Sequence, residues 1–185
     1  MLALLYLFIF YIILFKSPFF NYKNIHKSEI IIAFTIKVVV SIIFYLIYTE
    51  YYTVRKEIDM FRYYDDALIM HEAVNKNIAD YLKMLTGIND NSNIITENYY
   101  LRMDNWFESF ETFIKNDNRT MIRLNALFLL ISNNEIFVHK LFFLILGFIG
   151  SLWLLKTFES DNDRKNKILF YLILFFPSLL FWTSS

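Results

Sequence analysis

The sequence predicts an all-α fold, a polytopic helical membrane protein with about four transmembrane helices and one large helical extracytoplasmic loop. Three observations carry this reading. Of the 185 residues, 57% are hydrophobic, above the roughly 45–50% usual in soluble domains. Those apolar residues are gathered into blocks rather than spread evenly. Only 3 Gly and 2 Pro punctuate the chain, which suits long helices and opposes a turn-rich β fold.

The first block, Met1–Phe15 (MLALLYLFIFYIILF), carries no charge. It has no basic flank before it and no small-residue cleavage site after it, so it reads as a retained first span rather than a signal peptide. It is short for a helix that must cross about 30 Å of hydrocarbon with about 20 residues, unless Phe19 and Phe20 extend it beyond Pro18. The second block, Ile30–Tyr48, carries Lys37 alone, and the third, Ile136–Leu155, has His139 and Lys140 near its start. The fourth, Ile168–Trp182, is uncharged. The chain stops at "LFFPSLLFWTSS", in or just past that block, as expected of a fragment of a longer multi-span protein.

Charge sets the expected orientation. The loop 16–28 has Lys16, Lys23 and Lys27 with no acid, and the loop 156–167 has Lys156, Arg164, Lys165 and Lys167 against three acids. Short basic loops stay cytoplasmic. The long segment 49–134 has 9 basic and 13 acidic residues and is expected outside. The predicted organisation is a transmembrane hairpin at 1–48, an extracytoplasmic helical loop at 49–134, and two further spans at 135–185.

Within that loop, apolar residues recur at three- to four-residue steps from Asp59 to Leu85 with a phase slip around His71, predicting one helix. Gly87 and the polar "INDNSN" after it predict its stop. "DNWFESFETFIKN" groups Trp106, Phe107, Phe110, Phe113 and Ile114 on one face, which suits either the bilayer interface or a self-packed helical cap. "RTMIRLNALFLLIS" predicts a further helix leading into the third span.

The segment Tyr48–Ala67, "YTEYYTVRKEIDMFRYYDDA", holds the candidate site. If Asp59 opens a helix, Arg62, Tyr63 and Asp66 lie near it at the helical spacings. A carboxylate among cations suits a phosphate-bearing lipid substrate: Asp59, with Asp65 and Asp66 beside it, as base, and Arg55, Lys56 and Arg62 as phosphate holders. The same residues also fit a simpler arrangement, in which Asp59 caps the helix through its side chain and the others form a solvated face. Lys37 is the intramembrane polar residue; a charge there costs roughly 2.5–3.5 kcal/mol on insertion scales, which snorkelling or pairing within the bundle would relieve.

Several chemistries are set aside. The chain has no Cys, which excludes disulfides and thiolate sites. With 18 basic and 18 acidic residues, nothing points to nucleic acid. His71 and Glu72 with Asp65 and Asp66 do not put three ligands on one helical stripe, so no dedicated metal site is expected. No cofactor is assigned, a divalent cation being the one these acids would suit. Asn118-Arg119-Thr120 is a glycosylation sequon, relevant only in a secretory pathway.

Taken in order, "IYTEYY", "DMFRYYDDA", "RLNALFLLIS", "VHKLFFLILGFIG" and "FFPSLLFWTSS" resemble the N-terminal portion of bacterial membrane glycosyltransferases of the GT-C type. The resemblance implies a polyprenyl-phosphate-linked sugar donor, a glycan or lipid acceptor, and transfer at the outer face of the cytoplasmic (inner) membrane. It also implies an acidic residue in the first large outer loop acting as base, a position that Asp59 matches, with Asp65 or Asp66 second. In such enzymes the acidic loop follows the first span, whereas here it follows the second, and eight or more spans are usual. Two rival readings are a polysaccharide polymerase of the same membrane, and a non-enzymatic four-helix membrane protein such as a transporter subunit or assembly partner.

Overall fold

The computed structural model describes residues 1–23, 25–52, 54–107, 118–160 and 162–177. Among them the chain is all-helical, with no β-strand beyond one isolated bridge between Tyr22 and Ile25. It divides into two compact units: Met1–Tyr51 with Phe137–Ser185, and Tyr52–Ile136.

The first unit contains α1 (Leu2–Lys16), α2 (Lys27–Leu46, continuing as a π-helical turn through Tyr51), α7 (Ile136–Thr157) and α8 (Asp163–Phe175). Ring contacts fix how they pack. Phe34 meets Phe148 and Tyr45 meets Phe137, each at 5.2 Å between centroids, so α2 and α7 run antiparallel. Phe10 on α1 reaches Phe142 on α7 at 5.4 Å, and Tyr11 shares a 2.8 Å hydrogen bond with Thr35 on α2. Buried Leu14, Ile30, Phe34, Leu144, Phe148, Phe170 and Leu174 form the core.

The exterior of this unit is also apolar: Leu5, Phe8 and Ile12 on α1, Ile32, Ile36 and Ile43 on α2, and Leu146 and Trp153 on α7 are exposed. Contiguous apolar surface of this kind marks a face that meets lipid or protein. Among the described residues, two helices are long and apolar enough to cross a membrane: Lys27–Tyr51, 25 residues with an 18-residue stretch of mean hydropathy 2.7, and Ile136–Thr157, 22 residues with an 18-residue stretch of mean hydropathy 1.9. Of the other two expected spans, the first is a short helix, and the fourth, Ile168–Trp182, lies partly outside the described residues. α1 has 15 residues, about 22 Å at 1.5 Å per residue. α8 starts early, at Asp163, because Asn162 accepts a hydrogen bond from the Lys165 amide and caps it; its 13 residues end at Phe175.

The second unit contains α3 (Asp59–Lys76), α4 (Ile78–Thr86), α5 (Asn93–Asn98) and α6 (Asn118–Ser132). α3 packs chiefly on α6: Tyr64, Ala67, Met70 and Ala73 recur every third residue and are buried, facing a core shared with Ile122, Ala126 and Leu129. Tyr81 on α4 donates a 2.9 Å hydrogen bond to the Ala126 carbonyl. Trp106 stacks on Tyr100 with centroids 4.1 Å apart, and Arg119 and Arg123 lie over its ring at 5.2 and 5.3 Å.

Two details differ from the sequence expectations. The single helix over Asp59–Leu85 is two helices. The chain leaves the helical region at Asn77 (φ −156°, ψ 97°), whose side chain accepts from the Ala79 amide and caps α4; Asn competes with helical backbone in this way. The phase slip at His71 is absorbed without a break. Trp106 lies in the core of the unit while Phe107 is exposed, so the two do not share an outward aromatic face; Phe110, Phe113 and Ile114 fall outside the described residues. The Gly87 stop holds: Gly87 takes the left-handed conformation (φ 73°) and its amide closes the helix on the Lys83 carbonyl.

Candidate functional site

The site is built on the start of α3. A short 3-10 turn at Arg55–Glu57 is followed by Ile58, which is buried and serves as the N-cap residue without a side-chain cap. Asp59 is therefore the first helical residue rather than the cap. An acid in that first turn is favoured by the helix dipole, but its side chain is directed to a different partner: Oδ1 accepts from Arg62 Nη1 at 3.2 Å.

Arg62 in turn donates to the Asn105 Oδ1 atom from Nε at 2.8 Å and from Nη2 at 2.5 Å. Asn105 is held by Asp66, which accepts from the Asn105 amide at 2.8 Å, the Asn105 side-chain amide at 3.0 Å and the Asp104 amide at 3.0 Å. Asp59, Arg62, Asn105 and Asp66 thus form one continuous polar chain. Asp66 is buried, and that burial pushes its carboxyl above the usual range, while the hydrogen bonds from Asn105 and the Asp104 backbone oppose the shift.

The remaining charges pair separately. Arg55 grips Asp65 with two hydrogen bonds, Nε to Oδ2 at 2.8 Å and Nη2 to Oδ1 at 2.6 Å, and its guanidinium lies 4.1 Å over the Phe61 ring. Lys56 meets Asp104 at 2.7 Å, and that contact raises its pKa. So the three cations expected to hold phosphate each engage a carboxylate of the same unit, and an incoming phosphate must compete with Asp65, Asp104 and Asp59. Of the three candidate acids, Asp66 is committed to the 104–105 loop and Asp65 to Arg55. Asp59, with its side chain 61% exposed against 42% for Asp65, is the most open of the three and pairs with Arg62.

The His71–Glu72 group separates. Glu72 accepts from Arg102 at 2.7 and 2.9 Å and from Lys76 at 2.8 Å; these bonds, Arg102's first, lower its pKa to about 2. His71 sits edge-on to Tyr81 with centroids 6.3 Å apart, and burial lowers its pKa. Among the described residues no three His, Asp or Glu side chains group as a metal would need.

Lys37 is fully buried in the first unit, with Ser41 buried one turn on. His139 and Lys140 on α7 are buried as well, and Lys140 Nζ lies 5.4 Å from the centre of the Tyr48 ring. The sequence shows Lys37, His139 and Lys140 as charges in apolar runs, but not that all three are buried together with Ser41. Asp104 and Asn105 also escaped sequence reasoning. The one signal they gave is the Asp-Asn pair, which favours a turn, with nothing to tie it to α3.

No protein-family model, no curated protein and no solved structure matches this chain.

Proposed function

We propose that this chain is the N-terminal portion of an integral membrane glycosyltransferase, moving a sugar from a lipid-phosphate donor at the outer face of a bacterial cytoplasmic membrane in cell-surface glycan synthesis. The observation that carries the reading is the chain Asp59–Arg62–Asn105–Asp66. It places one exposed carboxylate on a rigid helix start, oriented by an arginine that is itself fixed by a buried acid. Asp59 follows Tyr51, the last residue of the longer apolar helix, by eight residues in sequence. The apolar exterior of α1, α2 and α7 supports a membrane setting in which all four apolar helices embed, residues 49–134 lie outside, and the basic loops lie inside.

In this reading Asp59 takes the proton of the acceptor hydroxyl as that oxygen bonds to the anomeric carbon, and the lipid phosphate leaves. Arg62, and Arg55 and Lys56 once released from Asp65 and Asp104, offset the charge on the departing phosphate. Asp59→Asn in the full-length enzyme is expected to abolish glycan transfer with expression intact, read by mass spectrometry of the surface glycan. Normal glycan from that variant ends the catalytic assignment.

A second reading has its own observation. Lys37, Ser41, His139 and Lys140 are buried inside apolar helices, where ionisable groups mark transport paths or partner contacts. A Lys37→Leu change that removes function while Asp59→Asn does not would favour a transporter subunit or assembly partner.

A further inference from the structure

The two basic loops of the first unit meet. Tyr22 donates to the Leu152 carbonyl at 2.9 Å, the Lys23 amide donates to Glu159 at 3.1 Å, and Phe19 packs on Trp153 with centroids 6.1 Å apart. The turn before α8 is held by Asn166, which is buried and bonds both the amide and the carbonyl of Ser160 at 2.9 and 2.7 Å. Between the loops is an open cavity of about 790 Å³, walled by His26, Arg164, Lys167, Ile25, Ile168 and Tyr171 among others.

Its chemistry is that of an anion site. His26 is the N-cap residue of α2 and Arg164 lies in the first turn of α8, so two helix starts face one cavity. The His26 amide donates to Glu29 Oε2 at 2.8 Å and the Lys165 amide to Asn162 at 3.1 Å, which leaves the cationic side chains to carry the attraction for an anion. Arg164 is exposed, and no partner for its guanidinium occurs among the described residues. Asp163 is on the same wall, and Glu29 lies 4.0 Å from Lys167 and accepts from Tyr171 at 3.3 Å; the acids orient Lys167 and Tyr171 without neutralising Arg164.

The direction of α8 names the class of ligand. Arg164 and Lys167 are followed at three- and four-residue steps by exposed Ile168, Tyr171 and Leu172, so one helix face turns from cationic to apolar along its length. A soluble anion needs only the first half of such a stripe, whereas a phospholipid needs both. The geometry points to a binding site for an anionic phospholipid, its phosphate at His26, Arg164 and Lys167 and an acyl chain along Ile168, Tyr171 and Leu172. The site rests on the membrane setting of these helices and is independent of glycosyl transfer.

The test uses the full chain purified in a zwitterionic detergent, with native mass spectrometry of lipid adducts. Phosphatidylglycerol is expected to bind in preference to phosphatidylcholine, and Arg164→Gln with Lys167→Gln to weaken it by about tenfold or more. Arg164→Lys with Lys167→Arg is expected to retain binding. So is Lys156→Gln with Lys165→Gln, which removes the same charge from exposed positions outside the cavity. Equal binding of phosphatidylcholine overturns the proposal, as does an equal loss in the Lys156/Lys165 variant. Displacement of the lipid by millimolar inorganic phosphate assigns the cavity to a free phosphate and overturns the lipid. All four positions lie far in sequence from Asp59, so the result is read separately from glycan transfer.

Discussion

Asp66 holds Asn105 across 39 residues of sequence, accepting from both its backbone and its side-chain amide at 2.8 and 3.0 Å. This contact gives the candidate site its rigidity. Arg62 is aimed through Asn105, and Asp59 through Arg62.

Removing the acid leaves buried donors without partners, and hydrogen bonds to charged groups are worth about 1.5–3 kcal/mol each. Asp66→Ala is therefore expected to destabilise the protein by about 3 kcal/mol, with Asp66→Asn intermediate. Urea unfolding followed by circular dichroism checks this; an unchanged midpoint would remove Asp66 from the role of clamp.

Two carboxylates of this unit titrate in opposite senses. Glu72 is lowered from its ordinary 4.5 to about 2 by Arg102 and Lys76. Its contribution is complete above pH 4.5 and is lost as pH falls through about 2. Asp66 is raised by burial, so the folded state holds its proton more tightly than the unfolded chain. Its contribution favours folding at low pH and declines as pH rises through the raised value. Glu72→Gln is expected to flatten the loss of stability between pH 4.5 and about 2. An unchanged acid limb in that variant would show that the Arg102 pair does not matter to stability.

Gly87 has a left-handed backbone, and a Cβ built there would come within 2.8 Å of Arg123 Nη2. That arginine is not free to move aside, since it donates to the Met84 carbonyl at 2.8 Å and to Asp90 at 3.0 Å. Gly87→Ala is expected to cost about 1–2 kcal/mol from backbone strain, measured as a lower urea midpoint. Gly87→Asn should fall between, because Asn tolerates this region better.

Asn77 caps α4 through the Ala79 amide at 3.1 Å and also donates to Asp80 at 2.7 Å. Asn77→Ala is expected to destabilise by about 1 kcal/mol, and Asn77→Asp keeps the acceptor for the Ala79 amide but loses the donor to Asp80 and sets two carboxylates together, so it recovers only part of the cap. Faster hydrogen exchange confined to the first turn of α4 would identify the cap as the cause, and uniform exchange through the unit would refute it.

The parts legible in the sequence are those set by local pattern. α2 and α7 follow from their apolar blocks, α3 and α6 from their helical periodicity, and the end of α4 from Gly87. The Asn77 break was hidden because Lys76 and Asn77 suit a helix surface as well as a helix end, and only the side-chain hydrogen bonds decide. The site was half legible. Asp59, Arg62 and Asp66 share a helix and so declare their proximity, but Asn105 joins them through tertiary packing that no spacing reveals. Likewise Lys37 announces itself as a charge in an apolar run, whereas the burial of His139 and Lys140 at the mouth of α7 depends on α2 running antiparallel to it.

The first unit is discontinuous, with residues 52–136 inserted between its halves. During synthesis, α1 and α2 leave the ribosome before α7 exists, and the core residues Ile30 and Phe34 must wait for Leu144 and Phe148. The second unit is encoded without interruption and can complete its own core in that interval, since domains fold as units during synthesis. Within this chain the apolar bundle can therefore close only after the second unit has been made, and a pause or a truncation before Phe137 would release that helical unit carried by an unpaired hairpin.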